Sequence, residues 1–204
     1  MHDANKTFYD CRLDKITPIG MQNTDLCRRW LQSQAIEYKG IHANPDGTLR
    51  LNLSGTRHLE LSALTILPVT HLCIAGCWRI TDFTPLRKMR LVWLNLSRTS
   101  IVDLSPLRDL PLTHLSICRT VVTTLWPVAR LPLRWLDIRS TKITTLLSLR
   151  RMPLEELRFF PSRIERGLKS LRSIGTLTKI NRWTPEEFWK QHSGRGRQTA
   201  SGHG

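Results

Sequence analysis

The sequence has no long apolar run. It nowhere carries the roughly 18 consecutive apolar residues of a membrane-spanning helix, and residues 1–15 lack the apolar core of a secretory signal. The cysteines, at positions 11, 27, 73, 77 and 118, are odd in number and form no CxxC pair, which favours neither a disulfide framework nor a zinc knuckle. We therefore expect a soluble, cytoplasmic protein with reduced thiols, no membrane span, no bound metal and no cofactor.

Acidic residues are also scarce. The chain has 31 Lys and Arg against 16 Asp and Glu, a formal charge of +15 with a pI near 10.6. Residues 1–46 hold six residues of each sign, so the excess lies in the remaining 25 basic and 10 acidic residues. Such a surplus attracts acidic proteins, nucleic acid or anionic membranes, and it bears on association rather than on fold.

A leucine pattern, LxxLxLxxTxIxxLxxLxxLP, recurs through most of the chain. Successive units are 21–23 residues apart and begin at Thr48, Val69, Leu91, Leu112, Leu133 and Leu154, with a truncated unit at Leu177. Because the apolar positions keep one register through successive copies, the pattern indicates a solenoid of stacked units. No unit can bury its apolar side chains alone, so stability should come from interfaces between neighbours.

Each unit also predicts its own local structure. The LxLxx segment alternates apolar and polar residues, as does a strand with one buried face. Ser or Thr before Pro, as in Thr84-Pro85 and Ser105-Pro106, signals a helical start, and the next apolar residue follows so closely that we expect a single 3-10 turn. The predicted fold is an α/β repeat: a solenoid with a concave parallel sheet, short 3-10 or irregular turns on the convex side, and helical caps at both ends.

Both ends carry cap signals. Asn23-Thr24-Asp25 precedes a short amphipathic segment, and the turn Asn44 to Gly47 predicts a hairpin between residues 36–42 and the first repeat strand. Thr184-Pro185-Glu186-Glu187 is typical of a helix start with a capping box. We divide the chain into an N-terminal cap (1–47), repeats (48–183), a C-terminal capping helix (184–190) and a disordered basic tail (191–204).

The stretches VDLSPLRDLPLTHLSI and LRSIGTLTKIN resemble the short, proline-punctuated arrays of bacterial leucine-rich-repeat proteins of the internalin-like class, especially arrays attached to some bacterial serine/threonine kinases. The resemblance covers about residues 48–190. It implies an accessory domain that binds protein partners. Thr99, Thr120 and Thr141 stand where such repeats usually have an asparagine, and a hydroxyl can satisfy the same turn more weakly. The kinase part is absent, since the chain has no GxGxxG, HRD or DFG motif.

Strand alternation predicts which side chains face outward on the sheet. One column holds His71, Trp93, His114 and Trp135, and the next holds Asn95, Asp137 and Arg158. Two exposed tryptophans beside arginines form a surface that can stack on flat groups and pair with carboxylates or phosphates. The predicted partner-binding residues are His71, Trp93, Asn95, Arg98, His114, Arg119, Trp135, Asp137, Arg139 and Arg158. The alternative interpretation is an ordinary solvated strand surface.

Other groupings favour less specific interpretations. Arginines recur on the convex side, at Arg87, Arg108, Arg130, Arg150, Arg151 and Arg172. They are interpreted first as a solubilising face and second as an anion-binding stripe. A catalytic set of His114, Ser116 and Asp137, or a metal set of His71, Cys73, His114 and Cys118, is disfavoured because a flat strand surface supplies no pocket walls. Arg195-Gly196-Arg197 in the tail resembles a fragment of an RGG segment.

The sequence as a whole predicts a non-catalytic protein-interaction module that binds an acidic protein on its concave face and is itself monomeric. The alternatives are a nucleic-acid-binding protein that acts through its basic surface, because the charge meets the electrostatic criterion, and an accessory fragment of a larger signalling protein.

Overall fold

The computed structural model describes the backbone of residues 18–192 and the side chains of residues 24–192. Eight strands form one sheet in sequence order. They are β1 (Gly40–Ala43), β2 (Leu49–Asn52), β3 (Val69–Cys73), β4 (Trp93–Asn95), β5 (His114–Ser116), β6 (Trp135–Asp137), β7 (Glu156–Arg158) and β8 (Lys179–Ile180). Strands β2 to β8 are parallel, and only β1 runs antiparallel to its neighbour β2.

The sheet register follows the leucine repeat. Leu72, Leu94, Leu115 and Leu136 pair across successive strands, and each is fully buried. Their backbone neighbours on either side lie on the opposite face of the sheet, because side chains alternate along a strand. The core is therefore one continuous column of side chains between the sheet and the convex turns, as expected for a solenoid whose units bury each other.

A left-handed residue follows each of strands β2 to β6. This position is Gly55 in the first unit and Gly76 in the second, and then Arg98, Arg119 and Ser140, with φ between 56° and 80°. The next residue in the later units is a buried threonine whose hydroxyl donates to the carbonyl three residues earlier, at 2.7–2.8 Å for Thr99, Thr120 and Thr141. These threonines thus satisfy the turn that leaves the strand.

The convex side is built from short 3-10 turns. They span Leu61–Ile66, Thr84–Lys88, Ser105–Leu107, Trp126–Val128, Leu147–Arg151, Pro161–Arg163 and Lys169–Ser173. Proline occupies one of the first positions in four of them, where its missing N–H has no acceptor to lose. The N–H of the first residue in several turns is instead bonded by the side chain two residues earlier, as from Thr84 to Asp82 at 2.9 Å.

The N-terminal cap differs from the predicted one. Helix α1 spans Pro18–Ser33, so Asn23 to Asp25, the predicted helix start, lie inside it. Proline suits a first helical turn, and the Thr24 side chain is buried instead of capping an end. The hairpin strand begins at Gly40, not at residue 36, because the Ile36 N–H closes the helix on the Leu31 carbonyl at 2.9 Å.

Helix α2 (Pro185–His192) covers the last repeat and runs two residues past the predicted boundary. The Thr184 N–H donates to Glu187 Oε2 at 2.9 Å, and the Glu187 N–H donates to Thr184 Oγ1 at 3.3 Å, which is the reciprocal geometry of a capping box. Phe188 is fully buried, with its ring centroid 6.0 Å from that of Phe159. This aromatic contact closes the open end of the core.

Neither helix among residues 18–192 is long and apolar enough to cross a membrane. The predicted disorder of the tail (191–204) is wrong for Gln191 and His192, which belong to helix α2. The rest of that tail, including Arg195 and Arg197, and the cysteine at position 11 lie outside the described residues.

Candidate functional site

Four ring-bearing side chains line up across the middle of the concave face, and we call them the aromatic row. His71 pairs with Trp93, Trp93 with His114 and His114 with Trp135 across strands β3 to β6, as the strand alternation predicts. With about 4.8 Å between neighbouring strands, the row is roughly 15 Å long. It offers a continuous set of flat surfaces at fixed spacing.

All four side chains of the row are half-buried. The rings of His114 and Trp135 stack with centroids 6.4 Å apart and an interplanar angle of 23°. Arg158 covers the same indole, with its guanidinium carbon 5.2 Å from the ring centroid. The expected exposure of Trp93 and Trp135 is therefore wrong, because both side chains are half-buried. The Trp135 indole is held against His114 and Arg158 before any partner arrives.

Both histidines of the row are oriented by a neighbouring threonine. Thr70 Oγ1 lies 3.1 Å from His71 Nδ1, and Thr113 Oγ1 lies 2.8 Å from His114 Nδ1. Burial lowers the pKa of His71 to about 4, with a further contribution from Arg50, and burial also lowers the pKa of His114. At neutral pH the row is therefore uncharged, and its positive potential comes from the arginines around it.

The second outward column is far less available than its strand position predicts. Asp137 is only 3% exposed, and Arg139 closes over it, with Nη2 at 2.6 Å from Oδ2 and Nε at 3.0 Å from Oδ1. The Arg139 N–H also donates to Asp137 Oδ1 at 3.0 Å. The expected exposure of Asp137 is therefore wrong, because its carboxylate is already bonded by Arg139, and its role as a partner contact stays a prediction. The carboxylate fixes Arg139 at the surface.

Asn95 and Arg158 are half-buried and also have internal bonds. Asn95 Oδ1 accepts the Ser97 N–H at 2.9 Å, so its carbonyl shapes the end of the strand. Arg158 Nε donates to Glu156 Oε1 at 2.6 Å, and Lys179 Nζ lies 3.7 Å from the other oxygen of the same carboxylate. Glu156, at the end of the aromatic row, is therefore neutralised by Arg158, and Lys179 adds one further positive charge there.

Arg98 and Arg119, the strand-exit arginines, form the most exposed part of the predicted site. Both occupy the left-handed position, with φ of 57° and 58°, where the first two units have Gly55 and Gly76. Their backbone N–H groups donate to the carbonyls of Cys118 and Arg139 at 2.9 Å. A left-handed conformation costs a non-glycine residue about 1–2 kcal/mol, and such outliers cluster at functional sites. Comparing this position between units could have revealed the strain from the sequence.

The catalytic and metal alternatives find little geometric support. Ser116 Oγ lies 2.7 Å from Ser97 Oγ, His114 is bonded to Thr113, and Asp137 is held by Arg139, so the three side chains have separate partners. Cys73 is buried, and burial raises its pKa to about 11. Within residues 18–192, no group of three or more His, Cys, Asp or Glu side chains is placed to hold a metal.

Two exposed apolar residues on the convex side were missed by the sequence analysis. Trp126 is 74% exposed and Leu147 is 53% exposed, and they begin successive 3-10 turns. Thr84 and Ser105 occupy the same place in earlier units. That polar-to-apolar change within one repeat position was visible in the sequence. An open groove of about 750 Å³ lies elsewhere, beside Arg57, Glu60 and Arg79.

No protein-family model matches this chain, and no curated protein sequence matches it. Solved structures with the same fold do exist. Internalin C2 from Listeria monocytogenes aligns with a TM-score of 0.58 and 23% identity, over 63% of this chain and 58% of that one. An internalin, inlF, from the same organism aligns with a TM-score of 0.50 and 18% identity, over 61% of this chain and 44% of that one.

This chain thus spans about half the length of these internalins, and the likeness is one of fold. Together with the parallel sheet and the short 3-10 turns, it confirms the predicted leucine-rich-repeat solenoid and its similarity to bacterial repeat proteins.

Proposed function

We propose that this chain is a non-catalytic protein-recognition module that binds an acidic partner on its concave face, through the aromatic row and the strand-exit arginines. The observation that carries the proposal is the packed end of the row, where His114 is stacked on Trp135 and the Arg158 guanidinium covers the same indole. Tryptophan and arginine dominate the energetics of protein interfaces. Because these side chains are already ordered, little conformational entropy is lost when a partner binds.

The charge around the row favours an acidic partner. Arg98 and Arg119 are exposed, and neither takes part in an ion pair recorded among residues 24–192. Arg139 is held by Asp137 but keeps a partly exposed guanidinium. Carboxylates on a partner can pair with such guanidinium groups, and a positive surface raises association rates at low salt.

Two fold-matched variants test the proposal. The first is the double variant Trp93→His and Trp135→His, which places on the row the histidine that β3 and β5 already carry there. The second is the double variant Arg98→Gly and Arg119→Gly, which places in the left-handed position the glycine that the first two units have. We expect both variants to fold, as measured by thermal melts. We also expect each to lose at least tenfold in the recovery of specific partners from nuclease-treated lysate, quantified by mass spectrometry.

Nucleic-acid binding is the competing function, because the formal charge is +15 and the convex arginines are exposed. Its signature is tight binding to single- or double-stranded oligonucleotides that falls steeply with salt, since each phosphate contact releases counterions. If such binding survives both variant pairs and no protein is captured specifically, the protein-recognition proposal is wrong. Weak oligonucleotide binding, together with row-dependent protein capture, supports it.

We also propose the location, the oligomeric state and the assembly in which the module works. Cys73 and Cys77 are buried free thiols, which suits the reducing cytoplasm, and cell fractionation would test that location. We propose a monomer, to be checked by light scattering. The resemblance to arrays attached to bacterial kinases further favours an accessory role in a signalling assembly, which recovery of a kinase with the chain would support.

A further inference from the structure

The convex side changes character halfway along the solenoid. The first residue of the 3-10 turn is Thr84 and then Ser105 in two successive units, whereas Trp126 and Leu147 begin the next two turns. The last two side chains cannot fold inward, because Leu125 and Val128, or Leu146 and Leu149, already fill the core at each turn. A large indole and an isobutyl group therefore stand in solvent one repeat apart.

The same two units have also lost an acid without losing the turn. Asp82 and Asp103 each accept the N–H of the turn's first residue at 2.9 Å. In the next two units Thr124 and Thr145 accept that N–H through a hydroxyl, at 3.2 and 3.4 Å. The hydrogen bond that starts the turn is kept while its negative charge is removed. Packing alone does not require this change, since an aspartate performs the same structural role two units away.

Cations follow the two apolar residues within four positions along the chain. Arg130 follows the Trp126 turn, and Arg150 and Arg151 end the Leu147 turn. All three are exposed, and none appears in an ion pair recorded for residues 24–192. We call Trp126, Leu147, Arg130, Arg150 and Arg151 the convex patch. It combines two exposed apolar residues with three exposed arginines, in units where a threonine stands in the place of the aspartate that starts the turn in the two preceding units.

We infer that the convex patch is a second docking surface, separate from the concave face, for an acidic amphipathic segment of a protein partner. Carboxylates on that segment meet the three arginines, and one or two apolar side chains cover Trp126 and Leu147. Tryptophan and arginine are both enriched in interface hot spots. A nucleic acid needs no apolar centre, two apolar side chains offer little anchorage in a bilayer, and a second copy with +15 charge is repelled.

The units themselves supply variants that test this surface. Trp126→Ser with Leu147→Thr installs the hydroxyl residues of Ser105 and Thr84, and Thr124→Asp with Thr145→Asp restores the acids of Asp82 and Asp103. Both pairs should preserve the turns and the melting temperature. The control is Val102→Thr, an exposed valine outside the patch whose counterparts in neighbouring units are Thr81 and Thr123.

The probe is a labelled helical peptide of glutamates with leucines on one face, titrated by fluorescence anisotropy against the full chain. We expect binding that falls at least tenfold with Trp126→Ser and Leu147→Thr, and at least threefold with the two aspartates, most strongly at low salt. Val102→Thr should bind like the wild type. The comparison peptides are one with its leucines scattered around the helix and one of glutamate alone, and both should bind at least fivefold more weakly.

Several outcomes would overturn the inference. No binding of the amphipathic peptide, or equal binding of the glutamate-only peptide, would show that the patch does not recognise an apolar and acidic segment. Trp126-dependent binding to phosphatidylserine vesicles or to duplex DNA, with none to the peptide, would assign the surface to another class of ligand. Because no concave residue is changed, failure here leaves the concave-face proposal standing, and the reverse also holds.

Discussion

Several polar side chains on the concave face form hydrogen bonds within the protein, and these bonds limit what the side chains can offer to a partner. Asn95 and Asp137 each accept the N–H two residues further along, and the hydroxyls of Thr70 and Thr113 orient the neighbouring histidines. A buried polar group must be paired, so these bonds are a condition of the fold. The side chains left for recognition are those that make an internal contact and still keep one side open to solvent, such as the Trp135 indole and the Arg139 guanidinium.

The low pKa of His71 predicts how the stability of the protein depends on pH. In the fold this pKa is about 4, below the usual 6.5, because burial disfavours the charged ring. Between those pH values the unfolded chain binds a proton that the folded chain does not, so stability falls as pH drops from 6.5 towards 4. With partial solvent screening we expect this loss to be about 1–3 kcal/mol.

His71→Gln removes this titration. Urea unfolding followed at pH 7, 5.5 and 4 should show that the free energy of unfolding declines less in the variant than in the wild type. The two proteins should respond alike above pH 7, where the imidazole is neutral in both states. Identical pH dependence across the whole range would mean that the ring is as solvated in the fold as in the unfolded chain.

At the scale of the element, the units that begin with β4, β5 and β6 each consist of a strand, a left-handed residue, a turn bonded by a threonine hydroxyl, and a 3-10 turn. The strands are short, three residues in the middle units, so each depends on its neighbours for pairing. Gly167 shows how closely the connections approach. Its φ is +81°, and a Cβ atom there would lie 2.7 Å from the backbone nitrogen of Leu147. The neighbouring backbone cannot move aside without breaking the Leu146 N–H bond to the Arg166 carbonyl, at 3.0 Å.

Gly167→Ala should therefore be strongly destabilising, by about 3 kcal/mol or more, since it combines a backbone clash with an unfavourable φ. Gly175→Ala is the matched control, because nothing lies within 4 Å of a Cβ at that position and its φ is not in the left-handed region. That control should change stability by no more than about 0.5 kcal/mol. Equal melting temperatures for the two variants would contradict the close approach at Gly167.

At the scale of the whole molecule, stability is a sum of interfaces between neighbouring units, closed by a helix at each end. Leu136 lies in the middle of the stack and is fully buried, whereas Val102 is 59% exposed. Leu136→Asp would place an unpaired charge between units, and we expect a loss of about 3–5 kcal/mol. Val102→Asp should stay within about 0.5 kcal/mol of the wild type. Both are measurable by urea denaturation, and a wild-type melt for Leu136→Asp would disprove the register.

At the same scale, the concave and convex surfaces differ in how their arginines are held. On the concave face Arg139 and Arg158 are paired with Asp137 and Glu156, whereas Arg130, Arg150 and Arg151 of the convex patch follow turn starts at which a threonine takes the place of an aspartate. Two faces of one rigid scaffold can therefore attract acidic partners by different means. The first aligns rings and guanidinium groups at strand spacing, and the second combines exposed apolar side chains with arginines that follow them in sequence.

The amino-acid sequence by itself determined the leucine-rich-repeat fold, the sheet register and the columns of the concave face. Each follows from a period of two along a strand and of about 21 along the chain, and both periods are local properties. The alignment of Leu94, Leu115 and Leu136 could therefore be predicted, as could the row from His71 to Trp135.

Only the tertiary structure decided which outward side chains remain open to solvent. Asp137 faces outward in the pattern yet is closed off by Arg139, and Trp135 is covered by Arg158, while Trp126 on the opposite side stays exposed. Exposure depends on the reach of long side chains from neighbouring positions and neighbouring units. A one-dimensional pattern specifies the direction of a side chain from the backbone, and what covers it depends on how all the units pack together.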